Sequence, residues 1–178
     1  ELQRLDDAGI TTLLVAGNHD PLPDWSRQIA FPESTVFFPA DTVTCYPLER
    51  DGKVIANVWG VSYANRETTD NLASKFPRDR GLVPSIGLLH ANIGSNPTHA
   101  LYAPASPTEL EKLGMDVWLL GHIHQQQTIR EKDPLILYPG CTQGRDHGES
   151  GSKGCCLIEI DNREISFQFL TTQIIRWE

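Results

Sequence analysis

No apolar run in this 178-residue chain approaches the roughly 20 residues that a helical membrane span requires. The opening, Glu1-Leu2-Gln3-Arg4-Leu5, lacks the basic-then-apolar order of a secretory leader. It also lacks Met and reads as mid-helix, so we expect a piece of a longer, cytoplasmic protein. The cysteines (Cys45, Cys141, Cys155, Cys156) include no C-x-x-C pair, which argues against structural zinc. Cys155 and Cys156 are adjacent in a strand-like run and should face opposite ways, and reduced, partly buried thiols are expected. An excess of positive charge is missing as well. The formal net charge of -8 excludes a surface-wide basic glove for nucleic acid. It still allows a local site where metal ions supply the positive charge. Internal repeats and low-complexity linkers are absent. What remains is an ordinary globular balance, 39% hydrophobic and 21% charged, in one domain spanning residues 1–178.

Apolar periodicity sets the expected elements. Leu2 and Leu5 share a helix face over residues 1–8, with Gly9 beyond its end. Residues 11–16 (TTLLVA) read as a buried strand running into Gly17-Asn18-His19-Asp20. A short helix is expected over 24–30, strands over 35–38, 43–48 and 53–63 with a hairpin turn at Asp51-Gly52, and a helix over 65–76. Residues 85–89 form a strand ending in His90, and a long proline-bearing loop covers 95–107. Ser106-Pro107-Thr108-Glu109 then opens a helix to about Leu113 with Gly114 as its cap. Residues 115–120 (MDVWLL) read as a buried strand, and Gly121-His122-Ile123-His124 forms the turn after it. Strands follow over 127–130, 135–138, 154–160 and 164–175, with turns at Pro139-Gly140 and Asp161-Asn162. The glycine-rich, charged stretch 144–153 reads as an exposed loop.

Three strand ends therefore carry the polar chemistry: Asn18-His19-Asp20, His90, and His122 with His124. In an α/β sheet such ends converge on one rim, where ligands bind. Two imidazoles one residue apart on a turn splay toward two points, which suits two neighbouring ions better than one. Singly, each residue has a plain structural reading. His90 could be a satisfied core histidine, Asn18 could close a turn, and Asp20 could cap a helix. Together they offer an amide, a carboxylate and four imidazoles without thiolate, a set suited to manganese (Mn2+), iron or Zn2+ rather than Ca2+. Two such divalent metal ions clamp a phosphate and activate water. His99 and His147 read as loop histidines.

These motifs, in this order and spacing, resemble the last three motifs of the calcineurin-like metallophosphoesterases. The resemblance implies a four-layer α/β/β/α sandwich, here missing its first strands as the C-terminal portion of the catalytic domain. It implies that Asn18, His90 and His122 ligate one ion and that His124 reaches the other. His19 would face the scissile phosphate and serve the leaving oxygen, and Asp20 would accept a hydrogen bond from His19. Tyr138-Pro139-Gly140, Gln143-Gly144-Arg145, Gly148-Glu149 and Lys153-Gly154-Cys155 resemble the bacterial DNA repair exonuclease, or SbcD-like, branch. That branch implies manganese-dependent phosphodiester hydrolysis of DNA, an SMC-type coiled-coil ATPase as partner, and a homodimer as one assembly.

The family pattern also needs an Asp-x-His and a Gly-Asp motif upstream of Gly17, and the chain holds neither. It is therefore expected to be inactive by itself. Two alternatives stay open: a phosphomonoesterase or cyclic-nucleotide phosphodiesterase on the same ligands, and a non-catalytic scaffold that kept the fold. Arg66, Lys75, Arg78, Arg80 and Arg145 are candidates for gripping DNA, but a solvated face accounts for them better.

Overall fold

Short β-branched and apolar runs separated by glycine and proline turns become strands in the computed structural model, which describes residues 1–21, 29–78, 81–94 and 102–178. The elements are α1 (Leu2–Asp7), β1 (Thr12–Leu14), β2 (Thr35–Phe37), β3 (Thr44–Arg50), β4 (Lys53–Val61), β5 (Ser85–His90), α2 (Pro107–Glu111), β6 (Val117–Gly121), β7 (Gln127–Arg130), β8 (Leu135–Tyr138), β9 (Gly154–Asp161) and β10 (Glu164–Thr171).

The central sheet runs β3-β4-β5-β6-β8-β7. Its inner pairs β4-β5, β5-β6 and β6-β8 are parallel, and the edge pairs β3-β4 and β7-β8 are antiparallel. The period-2 alternation of side chains sends each inner strand to two cores. On one face Trp118, Leu120, Ile136 and Tyr138 pack with Leu72, Phe76, Leu110 and Leu113 from the helical segments. On the other, Val117, Leu135 and Leu137 meet Ile158, Ile160, Ile165 and Phe167 of the β9-β10 hairpin. Fully burying one such side chain stabilises by about 1.5–3 kcal/mol, so β6 and β8, packed on both faces, anchor the domain. The α/β class is as expected: helices on one face of a mixed sheet, and a second, two-stranded sheet on the other.

The parallel β1-β2 pair docks at the C-terminal end of β4. Ser62, just past β4, is the staple. Its Oγ accepts from the Ala16 N–H at 3.0 Å and donates to the Phe38 carbonyl at 2.6 Å. The Tyr63 N–H donates to the Ala16 carbonyl at 3.0 Å. Four buried backbone groups are thereby satisfied, and the end of β1 is brought to the same rim as the ends of β5 and β6.

Local signals were borne out at the turns and caps. Asp51 and Asn162 both adopt positive φ (52° and 45°), as two-residue hairpin turns require. Ser106 and Glu109 form a reciprocal capping box at α2. That helix ends at Glu111, short of Leu113, and β10 ends at Thr171. The helix expected over 65–76 is corrected to a single 3-10 turn, Leu72–Lys75. Asn71 caps it by accepting from the Ser74 N–H, and Thr68 Oγ1 turns back to the Asn65 carbonyl, so polar side chains compete locally with helical bonding. The stretch 144–153 is not simply an exposed loop. It holds a 3-10 turn, His147–Glu149, and ends in a Lys153 that is only 3% exposed. The expected helix over 24–30, the loop from Ser95, Arg80 and His99 fall wholly or largely outside the described residues. All four cysteines are free, with Cys45 exposed and the others half-buried. No helix among the described residues is long and apolar enough to cross a membrane.

Candidate metal centre

The β5-β6 register places His90 opposite Gly121, so His90 and His122 leave adjacent strands at one level. Their ring centroids lie 5.3 Å apart. Asn18 arrives from the end of β1, and its Oδ1 is 2.8 Å from His90 Nε2. Two glycines make this approach possible. A Cβ on Gly17 would stand 2.4 Å from the His90 ring, and one on Gly121 would stand 2.7 Å from it. Any larger residue at either position would push the imidazole out of the rim. Tyr63 and Tyr102 stand edge-on against His90 and His122, at 5.2 and 5.7 Å between ring centroids.

His122 adopts φ 99°, a conformation that L side chains rarely take. Such strain costs on the order of 1–3 kcal/mol and persists only where the surroundings fix it. Burial, followed by the neighbouring His122, His19 and His124, pushes the His90 imidazole down to about 3. His90 is therefore neutral near pH 7, the form in which imidazole ligates metal.

His19 and His124 line one cleft of about 350 Å³ together with His122, Gln125, Glu149 and Lys153. His19 is exposed there. Asp20 Oδ1 accepts from the Gly17 N–H at 2.9 Å, which closes the turn that presents Asn18 and His19. The six expected residues thus gather at one rim, with His124 at its far side. His147 lies apart, its ring 4.4 Å from that of Trp177.

The donor set fits a divalent cation. Asn18 Oδ1 and His90 Nε2 are hydrogen-bonded at 2.8 Å, and the same two atoms are close enough for one ion to take both in place of that bond. An amide oxygen and neutral imidazoles suit Mn2+, iron or Zn2+.

Residues after β8, which motif reading grouped without roles, form one wall of the site. Glu149 Oε1 lies 2.7 Å from His124 Nδ1, and Arg145 Nη2 donates to the same carboxylate oxygen at 2.7 Å. Those Arg145 bonds outweigh burial and, helped by His124, hold the Glu149 carboxyl at about 2. Lys153 Nζ donates to the His124 carbonyl at 3.3 Å. The sequence signal for this wall was weak: charged residues in a glycine-rich stretch, paired across 25 positions.

A mixed α/β sheet with imidazoles and an amide on its C-terminal rim is the arrangement expected of a metal-dependent phosphoesterase. The chain belongs to the calcineurin-like phosphoesterase family, whose sequence model matches residues 1–126. It is 34% identical over all 178 residues to the "Uncharacterized metallophosphoesterase YhaO" of Bacillus subtilis (strain 168). The chain spans 44% of that relative's length. The family match ends two residues beyond His124, so the Glu149 wall lies outside it.

Proposed function

We propose that this chain belongs to a metal-dependent DNA phosphodiesterase, a repair exonuclease of the SbcD-like kind. The observation that carries the hydrolytic reading is the meeting of Asn18, His90 and His122 beside the cleft lined by His19 and His124. Asn18, His90 and His122 would hold one divalent ion and His124 would serve a second, with Mn2+ first and iron or Zn2+ as alternatives. When bound, such ions neutralise phosphate charge and activate water. His19 would hold the proton that the leaving oxygen takes up. Asp20 keeps His19 at the cleft by closing its turn. Arg145, exposed at the cleft wall although paired with Glu149, is the cation placed to meet a phosphate backbone.

The choice of DNA over a small phosphoester rests on the resemblance of residues 138–155 to the exonuclease branch. DNA as substrate, an SMC-type coiled-coil ATPase as partner and a homodimeric assembly are parts of the same proposal. The 178 residues contain no Asp-x-His, so ligands for the second ion must come from elsewhere, and this chain alone should not turn over.

The test compares Mn2+-dependent nucleotide release from linear duplex DNA with hydrolysis of an aryl phosphate. It is run on this chain and on a form extended upstream to carry Asp-x-His and Gly-Asp motifs. Cleavage of DNA ends by the extended form only is the expected result. Turnover by the chain alone would overturn the ligand inventory, and preference for the aryl phosphate would overturn the nuclease reading.

A further inference from the structure

His124 is held from both ends by one segment. Its carbonyl accepts from the Cys141 N–H at 3.3 Å and from Lys153 Nζ at 3.3 Å. Its ring meets Glu149 Oε1 at 2.7 Å through Nδ1. Glu149 is itself fixed: Oε1 accepts from Arg145 Nε at 3.0 Å and Nη2 at 2.7 Å, and Oε2 accepts from the Arg145 N–H at 2.9 Å. The Glu149 side chain is only 12% exposed, while Arg145, which clamps it, stands at the surface.

His124, Cys141 and Glu149 also bring three ligand atoms within 4.8 Å of one another. A separate cation site there is disfavoured, because the Arg145 guanidinium already sits 2.7 Å from Glu149 and 3.3 Å from His124 Nδ1. The two neighbours of Nδ1 make opposite demands. A carboxylate only accepts, so it requires an Nδ1–H, whereas a guanidinium only donates. The shorter contact, to a charged acceptor, decides the tautomer.

We infer that Glu149, clamped by Arg145, is the positioning residue for His124. Its carboxylate accepts the Nδ1–H, so Nε2 is left as the lone-pair nitrogen for a metal ion. This rests on the reading of His124 as a metal ligand. A carboxylate behind a ligating histidine orients the ring and raises its basicity, and its loss typically weakens metal affinity about 10–100-fold. The C-terminal tail buttresses the segment. Gln143 Oε1 accepts from the Ile174 N–H at 2.8 Å, and Trp177 Nε1 donates to the Gly144 carbonyl at 3.2 Å.

The experiment is nitrogen-15 NMR of the histidine rings in the full metal-free chain at about pH 8.5, well above the ordinary imidazole range. Wild type should show His124 as the Nδ1–H tautomer. Glu149→Gln, whose amide oxygen still accepts, should keep it. Glu149→Ala should lose it in favour of Nε2–H, and should weaken by about 10–100-fold the binding of Co2+ that perturbs the His124 resonances. An Nε2–H tautomer in wild type overturns the inference, and that spectrum decides even if the alanine variant fails to fold. An unchanged tautomer in folded Glu149→Ala, or Co2+ that perturbs His124 equally in wild type and Glu149→Ala, overturns it as well. Neither readout involves a substrate, so failure of DNA cleavage and failure of this inference are separate results.

Discussion

The two ends of β5 and β6 treat polar groups in opposite ways. At the N-terminal end Asp116, just before β6, is matched on every side. Arg163 Nη1 donates to both of its oxygens at 2.6 and 2.7 Å, and the Ser85 N–H donates to Oδ2 at 2.8 Å. Arg163 also reaches the Gly81 and Val83 carbonyls, tying the β9-β10 turn to the central sheet. At the C-terminal end the same strands deliver His90 and His122, whose protonated forms repel and whose backbone is strained at His122. One end closes its own charges and serves stability. The other holds unlike demands together and gains from a cation.

The largest contrast should come from removing Asp116. Asp116→Ala leaves Arg163 Nη1 and the Ser85 N–H without their acceptor, while Nη2 keeps the Gly81 and Val83 carbonyls. Breaking such a pair should destabilise by about 3–5 kcal/mol, read by urea denaturation. A loss below about 1 kcal/mol would erase the contrast between the two ends.

His90 should show itself through pH. Its folded value, about 3, lies below the ordinary 6.5 of the unfolded chain, so between these the unfolded state binds the extra proton. Stability should therefore fall as pH drops through that window, by about 1.4 kcal/mol per pH unit from this group, and be fully present above it. Metal-free His90→Gln should lose that component of the slope. Parallel stability profiles for variant and wild type would contradict the assignment.

His122→Gly relieves the positive φ, so stability should hold or rise by up to about 1 kcal/mol while metal binding is lost. A loss beyond about 2 kcal/mol would move His122 to the structural side of the comparison. The smallest effect belongs to Arg145→Ala. Arg145 pairs with a carboxylate as Arg163 does, but its side chain is 66% exposed, against 27% for Arg163. Thermal melting should not shift measurably, since solvent screens the exposed partner.

The rim was legible in the sequence because each of its parts is local. An apolar strand, a glycine and a short polar turn place Asn18, His90 and His122 without any long-range information. Turn chemistry at Asp51-Gly52 and the Ser106-Glu109 cap were legible for the same reason. The 65–76 segment misled because Leu72 and Phe76 have helical spacing, yet Asn71 and Thr68 satisfy local backbone groups and stop the helix. The Glu149 wall was not legible. Its pairing with His124 spans 25 residues and depends on where the sheet turns the chain after β8. Lys153 looked like a surface charge in a glycine-rich loop, and only the fold shows it buried against the His124 carbonyl.

The most direct measurement is paramagnetic broadening by Mn2+ in the NMR spectrum of the 178-residue chain. Asn18, His90 and His122 resonances should broaden first and together, and that priority should vanish in Asn18→Ala. Broadening spread over surface aspartates and glutamates, with those three unaffected, would contradict a metal site on this rim.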